Sequence, residues 1–415
     1  MEEILIVLYA VVNIAILVIY YKKVLGVFQA PFLVACVSLT IIFPQLTTIY
    51  FHPYYDYTLI NKLGYTMITG NIFFVLGFEK SKKRKLPDII RTIDLKKAQK
   101  LIFLFSVLGC STILMYRGIK QGDDFVIINM FKSFGFLALA LSLTSILQGE
   151  RGAMLYFSLI LAILTVGNYA FIVKGSRIDS LALGMNILLF CAIRYPKKRK
   201  LIQGVVVIAM LFGSVISASI SDIRKAARGE EGEVDQISFL NKFQQSFTNS
   251  VSDVGMDLGN AALGIDFAYE HVSYDYGLQI WNGLIYNFLP RRLVGDQNKK
   301  DMYFQVEYKE YMNGLTHHVT TTTAYFDAFA AFSFLGFIMF YCVGYIYGTI
   351  WAFATYSNLY KFFYFYSLAT MAIFLSLGFQ VLFGYIVFTL LYIYPFLSFF
   401  IVKEKIKINL SGSGR

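Results

Sequence analysis

The side chains best suited to chemistry in this chain are cations and histidines: Lys174, Arg177, Arg224, Arg228, Arg291, Arg292, His317 and His318. Arg224 and Arg228 lie one helical turn apart in Ile223-Arg-Lys-Ala-Ala-Arg228, so both guanidinium groups share a face. Paired guanidinium forks suit a pyrophosphate, because each binds two oxygens at once. An amphipathic turn with Arg228 paired to Glu230 or Glu231 accounts for the same residues. Lys174-Gly-Ser-Arg177-Ile-Asp179 joins two apolar runs, where an ion is costly unless it is paired or lines a wet cavity. Gly175 permits a tight turn that aims Arg177 inward. In the competing arrangement, Lys174 and Arg177 reach for headgroups and Arg177 pairs with Asp179.

Arg291 and Arg292 follow Pro290, which closes an aromatic stretch (274–289) carrying Tyr274, Trp281 and Tyr286. That stretch is too short and too polar to span a bilayer and fits an interfacial or re-entrant helix. Cations at its end are ordinary partners of the helix dipole, and they also stand where a phosphate at headgroup depth would lie. His317 and His318 are two of four histidines in the chain, the residue type that best takes a proton near neutral pH. Tyr325 and Asp327 open the next apolar run. Asp327 is either a second proton acceptor or an acid that steadies its own helix N-terminus. The four cysteines (Cys36, Cys110, Cys191, Cys342) lie in apolar runs, and no Cys or His spacing suits a metal, so neither metal nor cofactor is expected.

The elements that position these groups are membrane helices. Of the 415 residues, 57% are hydrophobic and 15% charged, and the mean hydropathy is +0.58. Soluble domains carry about 25% charged residues, so the apolar surface here must face lipid. The runs are long and continuous rather than alternating, which predicts an all-α polytopic integral membrane protein and excludes a barrel. The net charge of +11 sits in short clusters between apolar runs, where it sets topology and meets anionic lipid rather than nucleic acid.

Eleven runs approach the length of about 20 residues that a spanning helix needs. They cover 4–20, 27–51, 59–78, 98–116, 126–147, 154–173, 178–195 and 201–220, then 324–351, 362–383 and 386–402. Basic residues close the odd-numbered runs: Lys22 and Lys23, the cluster 80–85, Arg151, the cluster 197–200, Lys361 and the cluster 403–407. All fall on one side if every run crosses once, which predicts an outer amino terminus and a cytoplasmic carboxyl terminus. The first run lacks a basic leader and cleavage site and reads as a retained helix. Residues 1–220 thus hold eight helices, 221–322 form one large extracytoplasmic loop, and 323–402 hold three more. Residues 403–415 form a cytoplasmic tail ending in Ser-Gly-Ser-Gly-Arg, which reads as an expression scar. Within the loop, 241–267 reads as one or two surface helices. The count sends Arg177 and the whole loop to the same outer face. No internal repeat is evident, which weighs against an inverted-repeat transporter.

This architecture resembles the oligosaccharide repeat-unit polymerases (Wzy) of bacterial surface polysaccharide synthesis and the related O-antigen ligases. Its carriers are the many helices with one large outer loop, Gly175-Ser176-Arg177 at a helix mouth, and His317-His318 before the ninth helix. Phe332-Ser-Phe-Leu-Gly336 inside that helix adds to them. The resemblance implies a GT-C-like glycosyltransferase of the bacterial inner membrane, working at its periplasmic face without nucleotide sugar. The substrate it implies is an oligosaccharide linked through pyrophosphate to undecaprenol, in a membrane shared with a flippase and a chain-length regulator. Arg177 and Arg291 or Arg292 would then hold the pyrophosphate, with Lys174, Arg224 and Arg228 around them. His317 or His318, or failing them Asp327, would take the proton of the attacking hydroxyl. Tyr274, Trp281 and Tyr286 would contact lipid or sugar. An O-antigen ligase shares the donor and differs in acceptor. A flippase would show more helices, repeated halves and no single large loop.

Overall fold

Apolar runs become helices because a backbone in hydrocarbon must satisfy its own hydrogen bonds. The computed structural model describes residues 2–51, 55–85, 87–115, 125–168, 177–211, 255–272, 274–288, 295–301 and 323–405. In chain order these hold α1 (Glu2–Tyr21), α2 (Ala30–Val37), α3 (Phe43–Phe51), α4 (Tyr57–Lys82), β1 (Ile89–Ile93), α5 (Leu95–Met115), α6 (Phe125–Leu147), α7 (Ala153–Gly167), α8 (Arg177–Arg194) and α9 (Arg199–Leu211). The second half holds α10 (Gly255–Glu270), α11 (Leu278–Phe288), α12 (Asp296–Asp301), α13 (Ala324–Phe332), α14 (Phe337–Ala354), α15 (Asn358–Leu377), α16 (Phe379–Phe388), α17 (Tyr394–Ser398) and β2 (Ile401–Lys405). A π-turn, Ser38–Ile42, joins α2 to α3, next to Pro44.

Five described segments are long and apolar enough to cross a membrane: Ile4–Tyr21, Ala30–Phe51, Tyr57–Lys82, Ala324–Ala354 and Asn358–Leu377. Ser133–Leu147, Ala153–Gly167, Ser180–Arg194 and Phe379–Leu391 are shorter apolar helices. The architecture is that of an all-α membrane protein with one small sheet. On α1, Ile4, Val7, Val11, Ile14 and Val18 are exposed along one face, while Tyr9, Ile16 and Tyr20 are buried on the other. A face of that kind suits lipid. The α4–α14 pair packs backbone to backbone: a Cβ on Gly77 would overlap the Tyr341 carbonyl, and one on Gly344 or Gly348 would overlap those of Phe74 or Phe78. Small residues four apart permit such closeness between membrane helices.

Several boundaries differ from those read in the sequence. The run 324–351 is not one helix. It breaks at Ser333, whose φ of 53° is left-handed, and turns through Ser333–Gly336 before α14 begins. Gly336 folds so tightly onto α13 that a Cβ there would overlap the Ala328 carbonyl. The second break in the last helices comes at Gly378 (φ 83°), not near residue 384, because a left-handed residue ends α15 and glycine carries it without strain. The polar stretch after α4 and the basic tail are not plain loops. Ile89–Ile93 and Ile401–Lys405 pair antiparallel, with Ile89 opposite Lys405 and Ile93 opposite Ile401. The segment expected as surface helices holds α10, which is buried: Leu258, Asn260, Ala261, Ala262 and Ile265 have no exposed surface. Its small side chains let it sink between α3, α4 and α13. The cysteines also differ among themselves, since Cys36 is buried and Cys342 exposed.

Candidate functional site

The two ends of the helix bundle carry different chemistry. At one end Lys23 pairs with Glu79 at 2.7 Å and Lys82 donates to Gln29 Oε1 at 3.2 Å, joining the ends of α1 and α4. Ser357 Oγ donates to the Arg91 carbonyl at 2.7 Å, and Asn358 N to Thr92 Oγ1 at 3.0 Å, so the start of α15 is tied to β1. With the β1–β2 pairing, this gathers the basic ends of α1 and α4, the start of α15 and the basic strand β2 on one side.

The other end is covered by α10. Leu258 N donates to Gln45 Oε1 of α3 at 3.2 Å. Lys62 of α4 pairs with Asp266 at 2.8 Å and lies 4.1 Å from the centre of the Tyr269 ring. Both members of that pair are largely shielded (14% and 18% side-chain exposure), so the pair is a firmer tie than a surface one. Lys62 and Lys82 lie on the same helix, and the rise of α4 between them is about 30 Å, near the thickness of a hydrocarbon core.

Asp327 stands where α13 meets α16. It is 5% exposed, and its Oδ2 accepts the Phe379 amide at 2.7 Å. The acid stands in the first turn of its own helix, as the sequence suggested, and it also steadies the N-terminus of α16. The N-cap of α13 is Thr323, whose Oγ1 accepts from Phe326 N at 3.4 Å. Asp275 caps α11: Gly277 N donates to Oδ1 at 2.8 Å and Gln279 N to Oδ2 at 3.1 Å. Burial pushes the Asp275 carboxyl above its usual range, against the opposing pull of those two amides. Its own amide donates to the Ala330 carbonyl at 2.9 Å, which fixes the turn before α11 onto α13. Tyr274 accepts from Ser333 Oγ at 3.1 Å and packs edge-on to Phe329, while Trp281 is exposed.

A buried polar layer lies deeper, among α1, α2, α4 and α13. Asn71 Nδ2 donates to Asn13 Oδ1 and to Ser38 Oγ, both at 2.9 Å. Tyr325 donates to Asn71 Oδ1 at 2.9 Å, and its hydroxyl is 3.3 Å from that of Tyr9. All five residues have no exposed surface. Polar side chains at this depth are rare and mark helix contacts that must not slip.

No family model, curated protein or solved structure matches this chain. The site therefore stands on its own geometry. Of the residues singled out in the sequence, Tyr274, Asp327 and Tyr325 come together around α13. Arg177 opens α8 and Tyr286 lies in α11, but their side chains are outside the described residues, as are Lys174, Arg224, Arg228, Arg291, Arg292, His317 and His318. Residue 288 ends α11 just before Arg291 and Arg292, and α13 begins shortly after His317 and His318. Sequence reasoning passed over Asn13, Ser38, Asn71 and Asp275. An Asn in the middle of an apolar run is the signal that marks Asn13 and Asn71. Among the described residues, no three His, Cys, Asp or Glu side chains are grouped as for a metal.

Proposed function

We propose that this chain is a membrane-embedded glycosyltransferase that polymerises a bacterial surface polysaccharide. It transfers a growing glycan from undecaprenyl pyrophosphate to a hydroxyl of an incoming lipid-linked repeat unit, at the outer face of the inner membrane. On this reading the chain crosses eleven times in a GT-C-like arrangement, amino terminus outside. The observation that carries it is the polarity of the bundle. α10, from the long polar segment, caps the end opposite the basic ends of α1 and α4, which is where an outward-facing site would need it.

The chemistry asks for two things. The anomeric carbon–oxygen bond to the pyrophosphate breaks as a new one forms to the acceptor oxygen, so negative charge grows on the leaving pyrophosphate. Arg177, with Arg291 or Arg292 beyond α11, would stabilise it as preorganised donors do. The acceptor hydroxyl gives up its proton to His317 or His318. Asp327, already accepting a backbone amide, serves better as the strut that fixes α13 against α16. The test is reconstitution: purified protein in vesicles, supplied with lipid-pyrophosphate-linked repeat units, yields a ladder of glycan lengths. A substrate that remains a single repeat unit overturns the reading.

A further inference from the structure

Three helices meet around the break at Gly378: α11 from the polar segment, α13 and α16. Gln279 of α11 is 7% exposed, and its Oε1 has no hydrogen-bond partner among the described residues. It stands one turn before Gly283 and therefore on the same face of α11. That face is turned to α16, because a Cβ on Gly283 would overlap the side-chain amide of Gln380. Gln380 directly follows Phe379, whose amide Asp327 caps. In the last turn of α15, Ser376 Oγ is also buried without a partner among the described residues. Earlier in the same helix Ser367 bonds back one turn to the Phe363 carbonyl at 2.8 Å, which Ser376 does not do.

An orphaned buried acceptor is destabilising, and a folded chain keeps one where something else completes it. What completes this one must bring donors. Among the described residues, the charged group at the break is the carboxylate of Asp327, which repels a phosphate. A hydroxyl donates to Gln279 Oε1 and can both give to and take from Ser376 and the Gln380 amide. Resting on the polymerase reading above, we infer that the seam of α11, α13 and α16 is a subsite for the hydroxyls of a neutral sugar ring. Gln279 is its specificity-determining acceptor, set apart from the cations that would hold the pyrophosphate.

The experiment compares the wild type with Gln279→Leu and Ser376→Ala, each in nanodiscs. Two probes are titrated by native mass spectrometry: undecaprenyl pyrophosphate, and the lipid-linked oligosaccharide extracted from the host of this chain. The wild type should bind the glycan-bearing lipid more tightly than the bare one. Gln279→Leu should lose about tenfold in affinity for the glycan-bearing lipid and none for the bare lipid. Because leucine removes an orphaned acceptor, the ligand-free variant should melt at or above the wild-type temperature. A variant that melts lower gives Gln279 a structural role and overturns the subsite. Equal loss for both lipids, or no loss for either, overturns it as well and leaves the polymerase reading intact. A wild type that binds neither lipid removes both.

Discussion

Tyr325 of α13 donates its phenol proton to Asn71 of α4 at 2.9 Å, in a layer with no exposed surface. That bond links the helix carrying Asp327 to the paired core of α1, α2 and α4. Interhelical hydrogen bonds in membranes average about 0.6 kcal/mol, so Tyr325→Phe should cost roughly 1 kcal/mol. Asn71→Leu takes one partner each from Asn13, Ser38 and Tyr325 and should cost about 2–3 kcal/mol. Because the Tyr9 and Tyr325 hydroxyls are neighbours, Tyr9→Phe with Tyr325→Phe should cost less than the sum of the two. Thermal melts in detergent measure all four variants, and strict additivity of the tyrosine pair would refute the shared layer.

Asp327 distinguishes a strut from a base. Asp327→Asn retains an acceptor for the Phe379 amide, so it should fold and elongate glycan at a rate within a few-fold of wild type. Asp327→Ala loses the cap and should be destabilised by about 1 kcal/mol or more, since the amide is buried. If both variants fold equally and both stop elongation, the carboxylate itself handles the proton.

The cations carry a sharper expectation. Arg177→Ala should abolish polymer while protein level and single repeat units persist, read as loss of the glycan ladder on a gel. Of His317→Ala and His318→Ala, one should be severe and the other mild. Two silent histidine variants would move the proton acceptor elsewhere.

Bundle polarity can be tested by labelling. In a cysteine-free background, Val272→Cys, an exposed position after α10, should react with an impermeant maleimide on intact cells. Lys405→Cys, exposed in β2, should react only after the inner face is opened. The reverse pattern would invert the topology.

Gly344→Ala tests the packing. Its Cβ would meet the Phe74 backbone, which has no flexible end to swing aside. A loss of about 1–3 kcal/mol is expected, seen as a lower melting temperature. Gly384→Ala, with open space around it, should be nearly neutral.

Residue types disclose the helices well, because hydrocarbon leaves the backbone no other option and basic clusters mark their ends. They disclose the breaks poorly. Ser333 and its neighbours Phe334 and Leu335 look as apolar as any spanning segment, and only the left-handed backbone shows that the chain turns there. The burial of α10 is also hidden, since its Asp and Asn residues and irregularly spaced apolar residues read as surface, while its Gly and Ala pack closely for lack of bulk. Asp327 shows a third limit. Its place in the first turn of its own helix can be read from sequence, but the second helix it serves lies fifty-two residues on, through the amide of Phe379.

The small sheet at the basic end has a consequence for synthesis. Its second strand is made long after its first, so β1 has no partner until residues 401–405 have been synthesised. Its backbone donors and acceptors stay open through insertion, with Lys83, Arg84, Lys85 and Arg91 nearby to discourage a wrong partner. Closure of β2 onto β1 therefore requires every helix between them to have been made: a chain cut before residue 401 would present an open strand at the basic end of α4.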